Sequence, residues 1–81
     1  MFLNRTADGR NNITGVRMKE IRKSLKISQR ELSDRLKVVG LNIDKNAVQR
    51  IEAGDRFVTG IEIIAISRCF NVTIEYLLRI D

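Results

Sequence analysis

The segment Ser28–Gly54, SQRELSDRLKVVGLNIDKNAVQRIEAG, decides the fold, because it carries start and stop signals for two successive helices. Ser28 and Glu31 form a capping box, in which the serine oxygen accepts a backbone amide and the glutamate reaches back to the cap. Gly40 suits a left-handed helix terminus, so we expect this helix to end between residues 38 and 40. Its inward-facing residues are predicted to be Leu32 and Leu36.

The second helix of this segment is predicted over Lys45–Ala53. Asp44 is a suitable N-cap for it, and Gly54 can end it in a left-handed conformation. Leu41 and Ile43 lie in the connection, and we expect both to pack into the core. The segment is therefore predicted to form two helices joined by a turn.

The predicted helix 45–53 has two unlike faces. At about 100° per residue, Val48 and Ile51 share one direction, and Asn46 and Arg50 point most directly away from it. The long polar side chains on the outer side are Lys45, Asn46, Gln49 and Arg50. Asn and Gln can pair bidentately with adenine, and Arg with guanine, in the DNA major groove. The pattern favours a base-reading helix, and the alternative is an ordinary amphipathic helix with a solvated face.

The rest of the chain predicts three further helices. The first is expected over residues 15–26, with Thr14 as its cap. A second capping box, Thr59–Glu62, opens a fourth helix that Asn71 can end, and Thr73 caps a short fifth helix. The apolar residues expected to face inward are Met18, Ile21, Leu25, Ile63, Ile64, Ile66, Phe70, Ile74, Leu77 and Leu78. No strand alternation is convincing, so the fold class is predicted to be all-α.

The composition excludes several function classes. Eighty-one residues form one small domain, and 43% hydrophobic with 31% charged residues is typical of a folded chain. No apolar run approaches the roughly 18 residues of a membrane span. With no histidine and one cysteine, the usual zinc site and most nucleophile–base pairs are excluded, so we expect no metal, no cofactor and no catalytic residue. The single Cys69 is interpreted as a packing residue, and a reducing cytoplasm is the expected compartment.

The positive charge is concentrated on the middle of the chain. The formal net charge is +5, and residues 17–56 alone hold eleven Lys/Arg against six Asp/Glu. Basic charge beside a reading helix supplies phosphate affinity and salt-sensitive association. Many small proteins carry such a charge only for solvation, so this observation supports nucleic-acid binding without establishing it.

Residues 1–12 are expected to form a flexible N-terminal arm, because they show no helical period and are rich in Asn, Asp, Gly and Arg. The alternative is an arm with a binding role. Phe2 or Leu3 would then pack on a partner subunit, or Arg5 and Arg10 would reach along DNA.

Several stretches together resemble the lambda-repressor-like, Cro/repressor-type helix-turn-helix family. The matching stretches are IRKSLKISQRELSDRL from residue 21, AVQRIEAGDR from residue 47, the fourth helix, and NVTIEYLL from residue 71. The resemblance extends over residues 18–78. It implies a compact five-helix DNA-binding domain over residues 13–81, with the helix-turn-helix at the second and third helices.

The resemblance also implies roles for individual residues. Gln29, which begins the second helix, would touch a DNA phosphate and brace the third helix. Arg22 and Glu52 match a structural ion pair of the family. The implied base-contacting residues are Lys45, Asn46, Gln49 and Arg50, the same four that the helical angles select. Further candidates for phosphate contacts are Lys26, Arg30 and Arg56.

The chain departs from the family at two places. Leu36 and Val48 are twelve positions apart, which is longer than the usual family turn, so residues 37–44 are expected to lengthen the second helix and widen the connection. Lys26 stands where glycine is common in the family, and it could add a phosphate contact.

Two functions are compatible with these patterns. The first is a sequence-specific transcriptional regulator of bacterial or phage origin, most simply a repressor. One copy covers only a half-site of double-stranded DNA, so we expect a homodimer that places both 45–53 helices in the major groove of a palindromic operator. The alternative is an antitoxin or another protein-interaction module, with a toxin or an anti-repressor as partner. We expect neither an enzyme nor a membrane partner.

Overall fold

The computed structural model describes residues 6–80, which form five helices and no strand. The helices are α1 (Thr14–Ser24), α2 (Gln29–Val38), α3 (Lys45–Ala53), α4 (Gly60–Phe70) and α5 (Ile74–Leu77). The predicted all-α class and five-helix order are confirmed. No helix within residues 6–80 is long and apolar enough to cross a bilayer.

The caps predicted for α2 to α5 are confirmed. Ser28 Oγ accepts a hydrogen bond from the Glu31 amide at 3.0 Å, and the Glu31 carboxylate accepts one from the Ser28 amide at 3.2 Å. Asp44, Thr59 and Thr73 accept amides in the same way. These four starts are local events, since each cap bonds an amide only three residues away.

The start of α1 differs from the prediction. Thr14 does not cap the helix but lies inside its first turn, where it is buried. The capping oxygen comes from Asn12, whose Oδ1 accepts a hydrogen bond from the Gly15 amide at 2.8 Å. This cap is also only three residues from its amide, but Asn12 is buried and its Nδ2 donates to the carbonyl oxygens of Ile51 and Arg56, so tertiary contacts hold the cap of α1 in place.

The end of α1 also differs from the prediction. The helix stops at Ser24 rather than at Lys26, because Lys26 adopts a left-handed backbone conformation with φ of 58°. Leu25 was expected to face inward, but it lies after the last helical turn and is 48% exposed. Lys26 therefore takes the conformation that explains why glycine suits this position.

One hydrophobic core lies among the helices. Its buried members are Met18, Ile27, Leu32, Leu36, Val48, Ile51, Ile66 and Leu77. Leu41 and Ile43 pack against this core from the connection, as predicted. Cys69 is half-buried against it, and burial raises the pKa of its thiol. Four other residues predicted to face inward, Ile21, Ile63, Phe70 and Leu78, are half-buried, whereas Ile64 and Ile74 are exposed.

The long connection leaves α2 and α3 packed against each other. α2 ends at Val38, which lies within the range of residues 38–40 predicted for its end. Gly40 follows in a left-handed conformation with φ of 95°. The Leu41 amide then donates to the Leu36 carbonyl oxygen at 2.9 Å, which turns the chain back to the core. The extra residues thus form an outward bend without separating the two helices.

Residues 10–12 differ from the expectation of a loose arm. Arg10, Asn11 and Asn12 hydrogen-bond to the end of α3 and to the residues that follow it. The suggested roles of Phe2, Leu3 and Arg5 fall outside the described residues.

Candidate nucleic-acid interface

The outer face of α3 carries the four polar side chains selected from the sequence. Val48 and Ile51 are fully buried on the opposite face. The exposed residues are Lys45, Asn46, Gln49 and Arg50. No hydrogen bond joins any of these four side chains to another residue within 6–80. Their donors are therefore available to a ligand.

A buried carboxylate fixes the inner face of α3. Glu52 accepts from Arg22 Nε at 2.7 Å and from Arg22 Nη2 at 3.0 Å, and its side chain is only 2% exposed. Arg22 also donates to the Ile27 carbonyl oxygen at 2.9 Å. The Glu52 carboxylate raises the pKa of Arg22 through these hydrogen bonds. The pair joins α1 to α3 in a bidentate geometry that a single rotamer change would break.

Gln29 belongs to the same network. Its Nε2 donates to Glu52 Oε1 at 3.1 Å, so α2 is tied to α3 through one carboxamide. Gln29 also occupies the first turn of α2, where backbone amides have no intrahelical acceptor and can bind a phosphate. The structure thus shows the bracing contact of Gln29 with α3, while a contact of Gln29 with a DNA phosphate stays a prediction.

The candidate phosphate-contacting residues lie in different settings. Lys26 and Arg30 are exposed on either side of the α2 N-terminus. Arg56 is not free: its guanidinium donates to both oxygens of Glu62, at 3.0 and 2.7 Å. Arg56 lowers the pKa of Glu62, and Glu62 raises that of Arg56. Its phosphate contact is a prediction that would have to coexist with this ion pair.

A polar cleft of about 260 Å³ joins the two kinds of candidate residue. It lies between α2 and the start of α3, and its lining is Arg30, Ser33, Asp34, Lys37, Asp44 and Lys45. The phosphate candidate Arg30 and the base candidate Lys45 therefore face one continuous surface. Contact of this surface with a DNA backbone and a groove edge stays a prediction.

Two sets of contacts in the structure were not predicted from the sequence. The Arg56–Glu62 pair spans the loop between α3 and α4, and no helical spacing marks it. The contacts of residues 10–12 with α3 and with the residues after it run to backbone carbonyl oxygens, which leave no sequence signal. The capping box at Thr59–Glu62 is the one local sign that Glu62 has a structural role.

Two comparisons with known proteins found similarities to this chain. A family model described as helix-turn-helix matches residues 18–77. The structure is similar to that of the P22 c2 repressor in complex with a synthetic operator, with a TM-score of 0.71 and 26% sequence identity. The similarity covers 86% of this chain and 98% of the repressor chain. No curated protein sequence matches the chain.

Proposed function

We propose that this chain, which belongs to the lambda-repressor-like helix-turn-helix family, is a transcriptional repressor that recognises a specific double-stranded DNA site. The family is one of DNA-binding regulators and not of enzymes. The observation that carries the proposal is the outer face of α3. Its four long polar side chains are exposed and form no hydrogen bond with any residue of 6–80, whereas its inner face is held by a buried ion pair.

The base contacts are assigned to α3 in the major groove. Asn46 and Gln49 have the carboxamides that pair with adenine, and Arg50 has the fork that pairs with guanine. Lys45 lies at the first turn and can donate to a guanine or to a phosphate. Each good bidentate pair contributes about 1–3 kcal/mol of discrimination between bases.

The phosphate contacts are assigned to the start of α2. Lys26 and Arg30 provide cations there, and the first-turn amides of Gln29 and Arg30 provide neutral donors. Such contacts set the orientation of α3 without reading sequence. They also make binding strongly dependent on salt concentration.

Dimerisation is part of the proposal, because one α3 reads too few base pairs to select a promoter. Two copies would place their α3 helices about 34 Å apart on a palindromic operator. Exposed apolar residues on or next to α4 and α5 offer surface for the contact, namely Ile61, Ile64, Ile74 and Ile80.

The direct test is binding of the purified chain to DNA from upstream of its own gene, compared with random DNA at several salt concentrations. We expect a preference for the upstream DNA that persists as salt rises, and two copies per site. Equal binding to both DNAs at every salt concentration would refute the proposal. A stable complex with another protein, combined with no DNA preference, would support the antitoxin alternative instead.

A further inference from the structure

Asn12 ties the end of α3 to the start of α1. Its Nδ2 donates to the Ile51 carbonyl oxygen at 3.0 Å and to the Arg56 carbonyl oxygen at 2.7 Å. Its Oδ1 accepts from the Gly15 amide at 2.8 Å, and the residue is 8% exposed. One buried carboxamide therefore satisfies backbone groups at three separate places. A buried amide in this position has little freedom to rearrange, because each lost bond would leave a polar group unsatisfied.

Arg10 binds the same end of α3 through its guanidinium group. Its Nη2 donates to the Glu52 carbonyl oxygen at 2.8 Å and lies 3.4 Å from the Ile51 carbonyl oxygen. Carbonyl groups in the last turn of a helix lack intrahelical donors, and a cation there also interacts favourably with the helix dipole. Glu52 is thus held twice, through its side chain by Arg22 and through its main chain by Arg10.

Two glycines leave the space that these contacts occupy. A Cβ on Gly15 would lie 2.1 Å from the Ile51 carbonyl oxygen and 2.8 Å from Arg10 Nη2. A Cβ on Gly54 would lie 2.9 Å from Arg10 Cζ. Both glycines face the Arg10 side chain, so the close approach of this segment to α3 depends on residues without a side chain.

We infer that Arg10 and Asn12 are positioning residues for DNA recognition, which set the placement of α3 by clamping its C-terminal end. The inference rests on the proposed function, because the orientation of α3 affects recognition only if α3 reads DNA. At its other end, α3 follows the six-residue bend 39–44. The contacts of Arg10 and Asn12 at the C-terminal end of α3, together with the Glu52 network, fix the orientation of this helix. Bidentate base contacts depend on that orientation, because they need good hydrogen-bond geometry.

The test compares Arg10→Met with two control variants. Arg10→Met keeps a long apolar stem and removes all donors. Arg68→Met removes the same charge from an exposed position on α4, which controls for non-specific electrostatics. Leu77→Val trims a buried residue of α5, which packs on α1 and α4 and thus controls for lost stability. Binding is measured to the preferred site and to random DNA, at a temperature where all variants are folded.

We expect the ratio of specific to non-specific affinity to fall about tenfold in Arg10→Met, comparable to the loss of one bidentate base contact. The ratio should be unchanged in both controls. If Arg10→Met loses stability like Leu77→Val but keeps the wild-type ratio, the clamp is merely structural and the inference is overturned.

Amide hydrogen exchange separates this inference from the proposed function. If the wild type shows no DNA preference, the proposed function fails, and the exchange of the Gly54 and Asp55 amides decides the clamp. These amides donate to the Ile51 and Arg50 carbonyl oxygens at the end of α3. Faster exchange in Arg10→Met than in Leu77→Val supports the clamp, and equal exchange overturns it.

Discussion

Arg22 and Glu52 form a bidentate ion pair between α1 and α3, with Nε to Oε2 at 2.7 Å and Nη2 to Oε1 at 3.0 Å. Gln29 donates to the same carboxylate from α2. A single buried group therefore fixes the relative placement of all three helices around the proposed reading face. The two partners differ in exposure, since the Glu52 side chain is 2% exposed and the Arg22 side chain is 12% exposed.

Removing the arginine from this pair should strongly destabilise the fold. Arg22→Met leaves the Glu52 carboxylate buried without its cation, which costs about 3–5 kcal/mol. Lys37→Met is the matched control, because the Lys37–Asp34 contact is exposed and 4.0 Å long, and surface pairs contribute about 0–1 kcal/mol. Urea denaturation checks both values. Similar small losses in both variants would show that the Glu52 network does not hold the helices together.

The Arg56–Glu62 pair should make stability depend on acidic pH. Hydrogen bonding to Arg56 lowers the pKa of Glu62 below its ordinary value of 4.5. The unfolded chain therefore takes up the proton first, so this stabilisation is complete above the unfolded pKa and disappears as pH falls through the lower folded value. Relative to the wild type, the free energy of unfolding of Glu62→Gln should be lower by about 1–2 kcal/mol at neutral pH, because glutamine keeps a capping oxygen but loses the charge.

This difference between wild type and Glu62→Gln should stay constant from pH 8 to about pH 6 and shrink below the ordinary carboxyl pKa. Denaturant midpoints measured across this range provide the check. A difference that grows on acidification would contradict the assigned ion pair.

Replacing Lys26 separates backbone strain from charge. A non-glycine residue in the left-handed region costs about 1–2 kcal/mol of stability. Glycine removes this cost, but it also makes the unfolded chain more flexible, which cancels part of the gain. Lys26→Gly should therefore gain about 0.5–1 kcal/mol. Lys26→Ala keeps the strain and should show no such gain. Both variants lose the charge, so both should weaken binding to all DNA sequences and lower the salt slope by about one. A salt slope equal to that of the wild type would remove Lys26 from the phosphate contacts.

The close packing at Gly15 should make that position intolerant of a methyl group. Gly15→Ala would drive a Cβ against the Ile51 carbonyl oxygen at 2.1 Å, and such overpacking costs about 1–3 kcal/mol. Gly60→Ala is the control, since no atom lies within 4 Å of a Cβ there. Thermal melts of the two variants compare them directly. Equal melting temperatures would mean that residues 10–15 do not pack on α3 as described.

The sequence predicted well what is decided locally. The starts of α2 to α5 were predictable because each cap lies three residues before the amide that it binds. The two faces of α3 were predictable because burial follows the helical period. The same reasoning failed at both ends of α1. Asn12 caps the helix instead of Thr14, and long-range hydrogen bonds to Ile51 and Arg56 hold it there. The left-handed Lys26 ends the helix early and leaves Leu25 exposed.

Contacts between distant parts of the chain could not be predicted in this way. Arg10 and Asn12 bind backbone carbonyl oxygens about forty residues away, and a carbonyl group is present in every residue. The resemblance to a known family identified the Arg22–Glu52 positions, but it gave no indication of the Arg56–Glu62 pair. The composition of residues 1–12 suggested an arm, although three of these residues are anchored.

Selection of bound sites from random DNA, performed with the wild type and with Arg50→Ala, tests the proposed reading face most directly. Arg50 is exposed and its side chain bonds to no described residue, so its loss should leave stability unchanged. Arg68→Met is the control for charge. We expect the wild type and the control to select one symmetric motif. Arg50→Ala should lose the preference at one position of each half-site, by about 1–3 kcal/mol. The same motif with undiminished preference at every position in Arg50→Ala would contradict base reading by this face of α3.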